Sequence, residues 1–168
     1  MALFEDDNER AEAYRILADL FAAPPDADRL QTIQEDFGLE SKESEQDVLA
    51  DFNDLFLYPG GKIPPLESLY AEGDSVAESV EAFYYRSGLA FEEEYKLVPD
   101  HISLEFLFMS YLIDINNHEL QEKFLEEHVA NWVPYYCEEV IGQARTLFYR
   151  EIAEITRDFI RDEYEGLG

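Results

Sequence analysis

The sequence predicts an all-α fold: a single-domain helical bundle of about seven to nine helices. Apolar residues recur at i, i+3, i+4 and i+7 through nearly the whole chain, whereas no useful stretch alternates with the period of two that a half-buried strand requires. No 20–50-residue repeat marks a solenoid. With 168 residues there is room for about one domain, taken as residues 1–168. A hydrophobic content of 46%, with 14% aromatic residues, supplies a core that a disordered acidic chain lacks.

Taken in order, Tyr14, Leu17, Ala18 and Phe21 form the stripe of a first helix, with Asn8 as its cap and Pro24-Pro25 as its stop. A second helix, Ala27 to Asp36, turns Leu30, Ile33 and Phe37 inward and ends at Gly38. A third runs from about Glu43 to Phe56 on Val48, Phe52, Leu55 and Phe56. Tyr58 to Pro65 then holds three prolines and two glycines in eight residues, which predicts a long ordered loop. Helical period resumes at about Asp74 with Val76, Val80, Phe83 and Tyr84, and closes at Gly88. Asp100, following Pro99, is placed to cap a central helix of Ile102, Phe106, Met109, Leu112 and Ile113, because a carboxylate there accepts free first-turn amides. Leu120, Phe124 and Leu125 mark another helix, and Trp132 to Gly142 and Ala144 to about Tyr164 complete the chain.

Charge and composition exclude whole classes of function. Against 39 Asp and Glu stand 12 Lys and Arg, a formal charge of −27, so both a phosphate backbone and an anionic membrane would be repelled. Cys137 is the sole cysteine and makes neither an intramolecular disulfide nor a Cys-rich zinc cage. The N-terminus lacks a basic region followed by an apolar one, and the longest apolar run, Phe106 to Ile113, falls far below the ~20 residues that span a bilayer. A soluble cytoplasmic protein without membrane insertion is the expectation. The residues three before His101, His118 and His128 are Val98, Ile115 and Leu125, so the Glu-x-x-His signature of di-iron bundles is absent. His118 and Glu122 read as a solvated pair. Gly60-Gly61-Lys62 is not a phosphate loop, since Phe56 and Ile63 occupy its leading Gly and trailing Ser/Thr positions. Cys137, beside Tyr136 and Val140, reads as core filling. No catalytic residue, metal or cofactor is expected.

Two segments carry more than fold. Asp54 to Tyr70 spends stiff residues on a loop, where prolines cut the entropy lost when a partner orders the surface. Val98 to Met109 gathers Asp100, His101 and Glu105 at a helix start. Together they resemble the paired signatures of the TorD/DmsD family of redox-enzyme maturation chaperones: Leu-Phe, a Pro/Gly turn and Pro-Pro-x-Glu-Ser, then Pro-Asp-His-Ile-x-x-Glu-x-x-Phe-Met. The likeness extends to Ala13–Phe21 and to Trp132-Val133-Pro134 and Phe148-Tyr149-Arg150. It implies an all-helical chaperone that binds the twin-arginine signal peptide and apoprotein of a molybdopterin oxidoreductase catalytic subunit before export. Tyr14, Phe52, Leu55, Phe56, Tyr58, Pro59, Gly60, Glu67, Ser68, Asp100, His101 and Glu105 are the leader-binding candidates. Some relatives carry Trp where this chain has Phe52 and Gly60.

Such a leader offers two guanidiniums followed by an apolar stretch, so its receptor needs carboxylates beside an apolar groove, and this composition supplies both. Acidic, Lys-poor surfaces also suit proteins dissolved in concentrated salt. An acidic interaction module for another basic partner, and a small metal- or nucleotide-dependent enzyme, stay open as alternatives, as does monomer against domain-swapped dimer.

Overall fold

The computed structural model describes residue 4, residues 6–90 and residues 97–167. Among these, eight α-helical segments follow one another: α1 (Asp7–Ala22), α2 (Ala27–Asp36), α3 (Glu45–Phe56), α4 (Val76–Arg86), α5 (Ile102–Asp114), α6 (His118–Phe124), α7 (Ala130–Gln143) and α8 (Leu147–Glu165). A 3₁₀ turn, Glu67–Leu69, follows the Pro-rich loop, and a π turn, Leu125–Val129, joins α6 to α7 without a break. The bundle class and α2 match the sequence expectation, whereas the separate helices expected around Leu120 and Trp132 are one continuous helical run.

Short polar side chains begin most helices by accepting an otherwise free first-turn amide. Asp6, not Asn8, does this for α1, taking the Glu9 N–H at 2.7 Å; Asp26, Ser44, Asn117 and Thr146 do it for α2, α3, α6 and α8. Asp100 does not cap α5. His101 is the cap, its Nδ1 accepting from the Ser103 N–H at 3.1 Å. α4 alone among the eight-residue or longer helices beginning at a Ser, Thr, Asn or Asp lacks a side-chain cap: Ser75 precedes it without such a bond.

α5 buries Ile102, Phe106, Phe108, Met109, Leu112 and Ile113 on nearly all sides, as a central helix must. It packs most extensively on α1, where Ser103 Oγ donates to the Ala18 carbonyl at 2.7 Å, while α7 lies along α8. Tyr14 and Phe159 bring α1 onto α8, and Arg10 fastens them by donating through Nε and Nη2 to Glu163 at 2.7 and 2.9 Å. Cys137 is fully buried, and burial pushes its thiol well above the usual range. No helix among the described residues is long and apolar enough to cross a membrane.

Candidate functional site

The fold brings the two unusual sequence segments into contact. Leu66 and His101 form an isolated antiparallel bridge, in which the Ile102 N–H donates to the Pro65 carbonyl at 2.9 Å and the Glu67 N–H to the Asp100 carbonyl at 3.0 Å. Asp100 Oδ2 accepts the Ser68 N–H at 2.8 Å. Asp100 is thus spent on the 3₁₀ turn instead of on α5. The preceding loop is equally tied down: the Lys62 and Ile63 amides donate to the carbonyls of Asp54 and Leu55, and Tyr136 Oη donates to the Ile63 carbonyl at 2.6 Å. Gly61 is required there, since a Cβ would lie 2.6 Å from the carbonyl oxygens of Leu55 and Leu57.

Beneath this junction lies a buried polar chain. Trp132 Nε1 donates to Glu105 Oε1 at 3.0 Å, while Glu105 Oε2 is buried without a hydrogen-bond partner. Burial first, and then the neighbouring Glu67 carboxyl, push the Glu105 pKa well above the ordinary carboxylate range. Glu67 Oε1 and Oε2 face His128 Nδ1 at 3.0 and 2.9 Å, and His128 Nε2 faces Ser79 Oγ at 3.1 Å. Tyr70 stacks on Trp132, and Phe83 and Phe124 enclose the His128 ring. The chain therefore runs from the indole in the core outward to Ser79 on α4.

Where this chain reaches the surface, it forms the floor of a cleft of about 360 Å³. Glu67 and His128 lie at the bottom, Ser75, Val76 and Ser79 belong to the start of α4, and Glu72, Asp74 and Glu127 complete a wall that, among the described residues, contains no Lys or Arg. Carboxylates with no Lys or Arg beside them among the described lining residues present acceptors to an incoming cation, and guanidinium, with its planar fork of donors, satisfies several at once.

The other residues singled out in the sequence separate into three groups. Tyr14, Phe52, Leu55 and Phe56 are core residues, 4% exposed or less; Phe56 meets the rings of Phe21, Phe52 and Tyr149 edge-on. As leader-binding candidates Phe52, Leu55 and Phe56 would need an open face, and the structure corrects that expectation, because none of these side chains is open to a peptide. Tyr58, Pro59, Gly60 and Ser68 are exposed. Asp100, His101, Glu67 and Glu105 are buried. Burial lowers the His101 pKa to about 4, with Asp100 opposing that shift. Its role at neutral pH is that of a neutral cap.

A family model described as the nitrate reductase delta subunit matches residues 5–138. The chain belongs to that family. Within it, the TorD/DmsD redox-enzyme maturation chaperones are its relatives. It is 32% identical over 123 residues to the chaperone protein YcdY of Escherichia coli, covering 71% of this chain and 65% of that one, so it spans about two thirds of that relative's length. It is 26% identical to the chaperone protein TorD of Shewanella loihica, covering 95% and 93% of the two chains. A crystal structure of a redox enzyme maturation protein from Archaeoglobus fulgidus shares the fold, with a TM-score of 0.66 at 20% identity over 95% of this chain and 98% of that one.

Family members carry the name of chaperones, not enzymes, and the site's electrostatics agree with that. Ser79, His128 and Glu67 stand in the order of a hydrolytic relay, but Glu72, Asp74 and Glu127 line the same cleft, and their negative charge opposes the oxyanion that acyl transfer develops. Among the described residues no three His, Cys, Asp or Glu side chains are grouped to hold a metal ion. His128 and Trp132 are the functional candidates that sequence reasoning passed over. Their signal was the four-residue spacing of Phe124, His128, Trp132, Tyr136 and Val140, which places an imidazole and an indole on a buried face where each must find a polar partner.

Proposed function

We propose that this chain is a cytoplasmic maturation chaperone that binds the twin-arginine leader and the apoprotein of a molybdopterin oxidoreductase catalytic subunit, holding it from export until it has folded. The observation that carries this reading is the acidic cleft with no Lys or Arg among the described residues that line it, floored by the Glu67–His128 pair. In this reading a leader guanidinium enters the cleft and is held by Glu72, Asp74 or Glu127. Asp100 acts at one remove, since its carbonyl and Oδ2 hold the turn that carries Glu67. His101 and Glu105 likewise shape the site from beneath. Family membership supports the role, and the charge of −27 favours encounter with any basic peptide.

Calorimetry against a leader peptide with Arg-Arg, and against its Lys-Lys version, tests the proposal. The Arg form binds more tightly, because an ammonium reproduces the charge but not the fork. The double variant Glu72→Gln/Glu127→Gln weakens the Arg form by roughly three- to tenfold, the scale of one or two solvent-exposed ion pairs. Equal affinity for both peptides, together with an inert double variant, overturns the assignment of the cleft.

A further inference from the structure

Thr32, Ser87 and Thr156 turn their hydroxyls to the carbonyl four residues earlier, at 3.0, 3.2 and 2.7 Å, and Ser103 turns its own to that of Ala18. Ser79 does otherwise. Its amide closes the first turn of α4 on the Ser75 carbonyl at 3.0 Å, while its Oγ faces His128 Nε2 at 3.1 Å and the residue stands exposed on the wall of the acidic cleft. The direction of that bond is set from beneath. Glu105 holds its proton, its pKa raised by burial and by Glu67, so Glu67 is left as a carboxylate, which only accepts. Both Glu67 oxygens lie within 3.0 Å of His128 Nδ1, which therefore donates. A neutral imidazole carries one N–H, so Nε2 accepts and the Ser79 hydroxyl donates to it. Phe83 and Phe124 enclose the ring and keep it in this setting. The Ser79 oxygen then meets the cleft with lone pairs alone.

Resting on the function proposed above, we propose that Ser79 is the residue by which the cleft tells an arginine from a lysine: its oxygen, aimed by His128 and Glu67, is a neutral acceptor at a fixed place in a wall of charge. Glu72, Asp74 and Glu127 attract any cation that enters. A guanidinium spreads five N–H donors over a rigid planar fork, so one edge rests on a carboxylate while an N–H of another edge meets Ser79 Oγ. An ammonium carries all its donors on one nitrogen and settles on charge alone. The carboxylates therefore supply attraction, and the hydroxyl supplies the choice between the two cations. His128, Glu67 and Glu105 are positioning residues here, acting through the lone pairs that they turn outward on Ser79. The hydrogen-bond order of a hydrolytic relay is thus put to recognition: the serine is held as an acceptor and no bond is made or broken.

The test uses the full chain, a synthetic Arg-Arg leader peptide and its Lys-Lys version. Ser79→Ala places a good helix former at an exposed helical position, so the variant folds as the parent does. It lowers affinity for the Arg-Arg peptide by roughly three- to tenfold and leaves the Lys-Lys peptide within about twofold. Glu72→Gln/Glu127→Gln, which removes charge and leaves the hydroxyl in place, weakens both peptides by a like factor. Long-range proton–nitrogen correlation spectra of the parent at neutral pH show His128 protonated at Nδ1 and bare at Nε2, and the Arg-Arg peptide shifts the Nε2 signal more than the Lys-Lys peptide does. If Ser79→Ala weakens both peptides alike, or neither, while the double variant still weakens the Arg-Arg peptide, Ser79 does not discriminate and the proposed function stands without it. A ring protonated at Nε2, alone or together with Nδ1, overturns the inference in the same way. If the parent binds both peptides equally and neither variant alters that, the proposed function fails and this inference with it.

Discussion

Replacing Glu105 by Gln should make the protein more stable as the pH rises, by an amount that the buried chain allows to be worked out. Glu105 is fully buried, accepts one hydrogen bond from Trp132 and leaves its other oxygen without a partner beside Glu67. Its folded pKa lies well above its value of ~4.3 in an unfolded chain. Between those two values the folded protein keeps a proton that the unfolded chain has released, so stability falls as pH rises, at up to about 1.4 kcal/mol per pH unit. Below the unfolded value both states are protonated and the slope vanishes. Gln preserves the carbonyl that accepts the indole N–H and adds an amide donor facing Glu67, but it has no proton to release. The difference in stability between variant and parent should therefore be flat below pH ~4 and grow in the variant's favour above it, at up to about 1.4 kcal/mol per unit. Urea unfolding followed by far-ultraviolet circular dichroism between pH 4 and 8 measures it for both proteins. Parallel stability curves would show that Glu105 ionises in the fold as it does in the unfolded chain, and the reading of the buried chain would be wrong.

Three further outcomes follow from other residues. His101, its folded pKa lowered to about 4, binds its proton more readily in the unfolded chain, so stability is lost as pH falls from ~6.5 to about 4; His101→Asn, which retains a capping oxygen, should remove up to about 3 kcal/mol of that acid-side loss in the same unfolding series. Gly61→Ala forces a methyl group against the Leu55 and Leu57 carbonyls and should cost roughly 1–3 kcal/mol, read as a fall in Tm, whereas an Ala at Gly142, where nothing lies within 4 Å, should leave Tm unchanged or raised. Phe56→Ala empties a site enclosed by three aromatic rings and should cost about 3–5 kcal/mol; leader binding measured at a temperature where the variant is still folded should be nearly unchanged, because the side chain faces no peptide.

The helices were legible because each must bury a stripe, and a stripe is a local pattern. Leu30 and Ile33, bounded by Asp26 and Gly38, define α2 within the ten residues that form it. The start of α5 was legible only to within a residue. Asp100 and His101 both have side chains able to cap, and the choice falls to His101 because a backbone amide at Ser68, 32 residues away, takes the Asp100 carboxylate. The same limit governs the site. Phe52, Leu55 and Phe56 lie at the spacing of a core-facing stripe, and the stripe outweighs their place beside the Pro/Gly turn. His128 and Trp132 could be placed on a buried face, but their partners, Glu67 and Glu105, lie 61 and 27 residues away, and only the fold makes those pairings.

The π turn between α6 and α7 makes that stretch sensitive to its length as well as to its residues. In a regular α-helix each four-residue step overshoots a full revolution by about 40°, so Phe124, His128 and Trp132 would spiral away from the face they share. The wider turn at Leu125–Val129 absorbs an extra residue and brings the steps back into phase. Removing one residue from the wide turn itself would leave a regular helix in which seven residues turn about 700° between Phe124 and the present Trp132, as the eight do now, so α7 would keep its facing. A residue added or removed elsewhere in the run, where no wide turn absorbs it, would rotate α7 by about 100° relative to α6, and would take Trp132 from Glu105 and Tyr136 from the Ile63 carbonyl. A substitution here is felt at one contact; a change of length outside the wide turn would shift the frame in which half of the bundle is read.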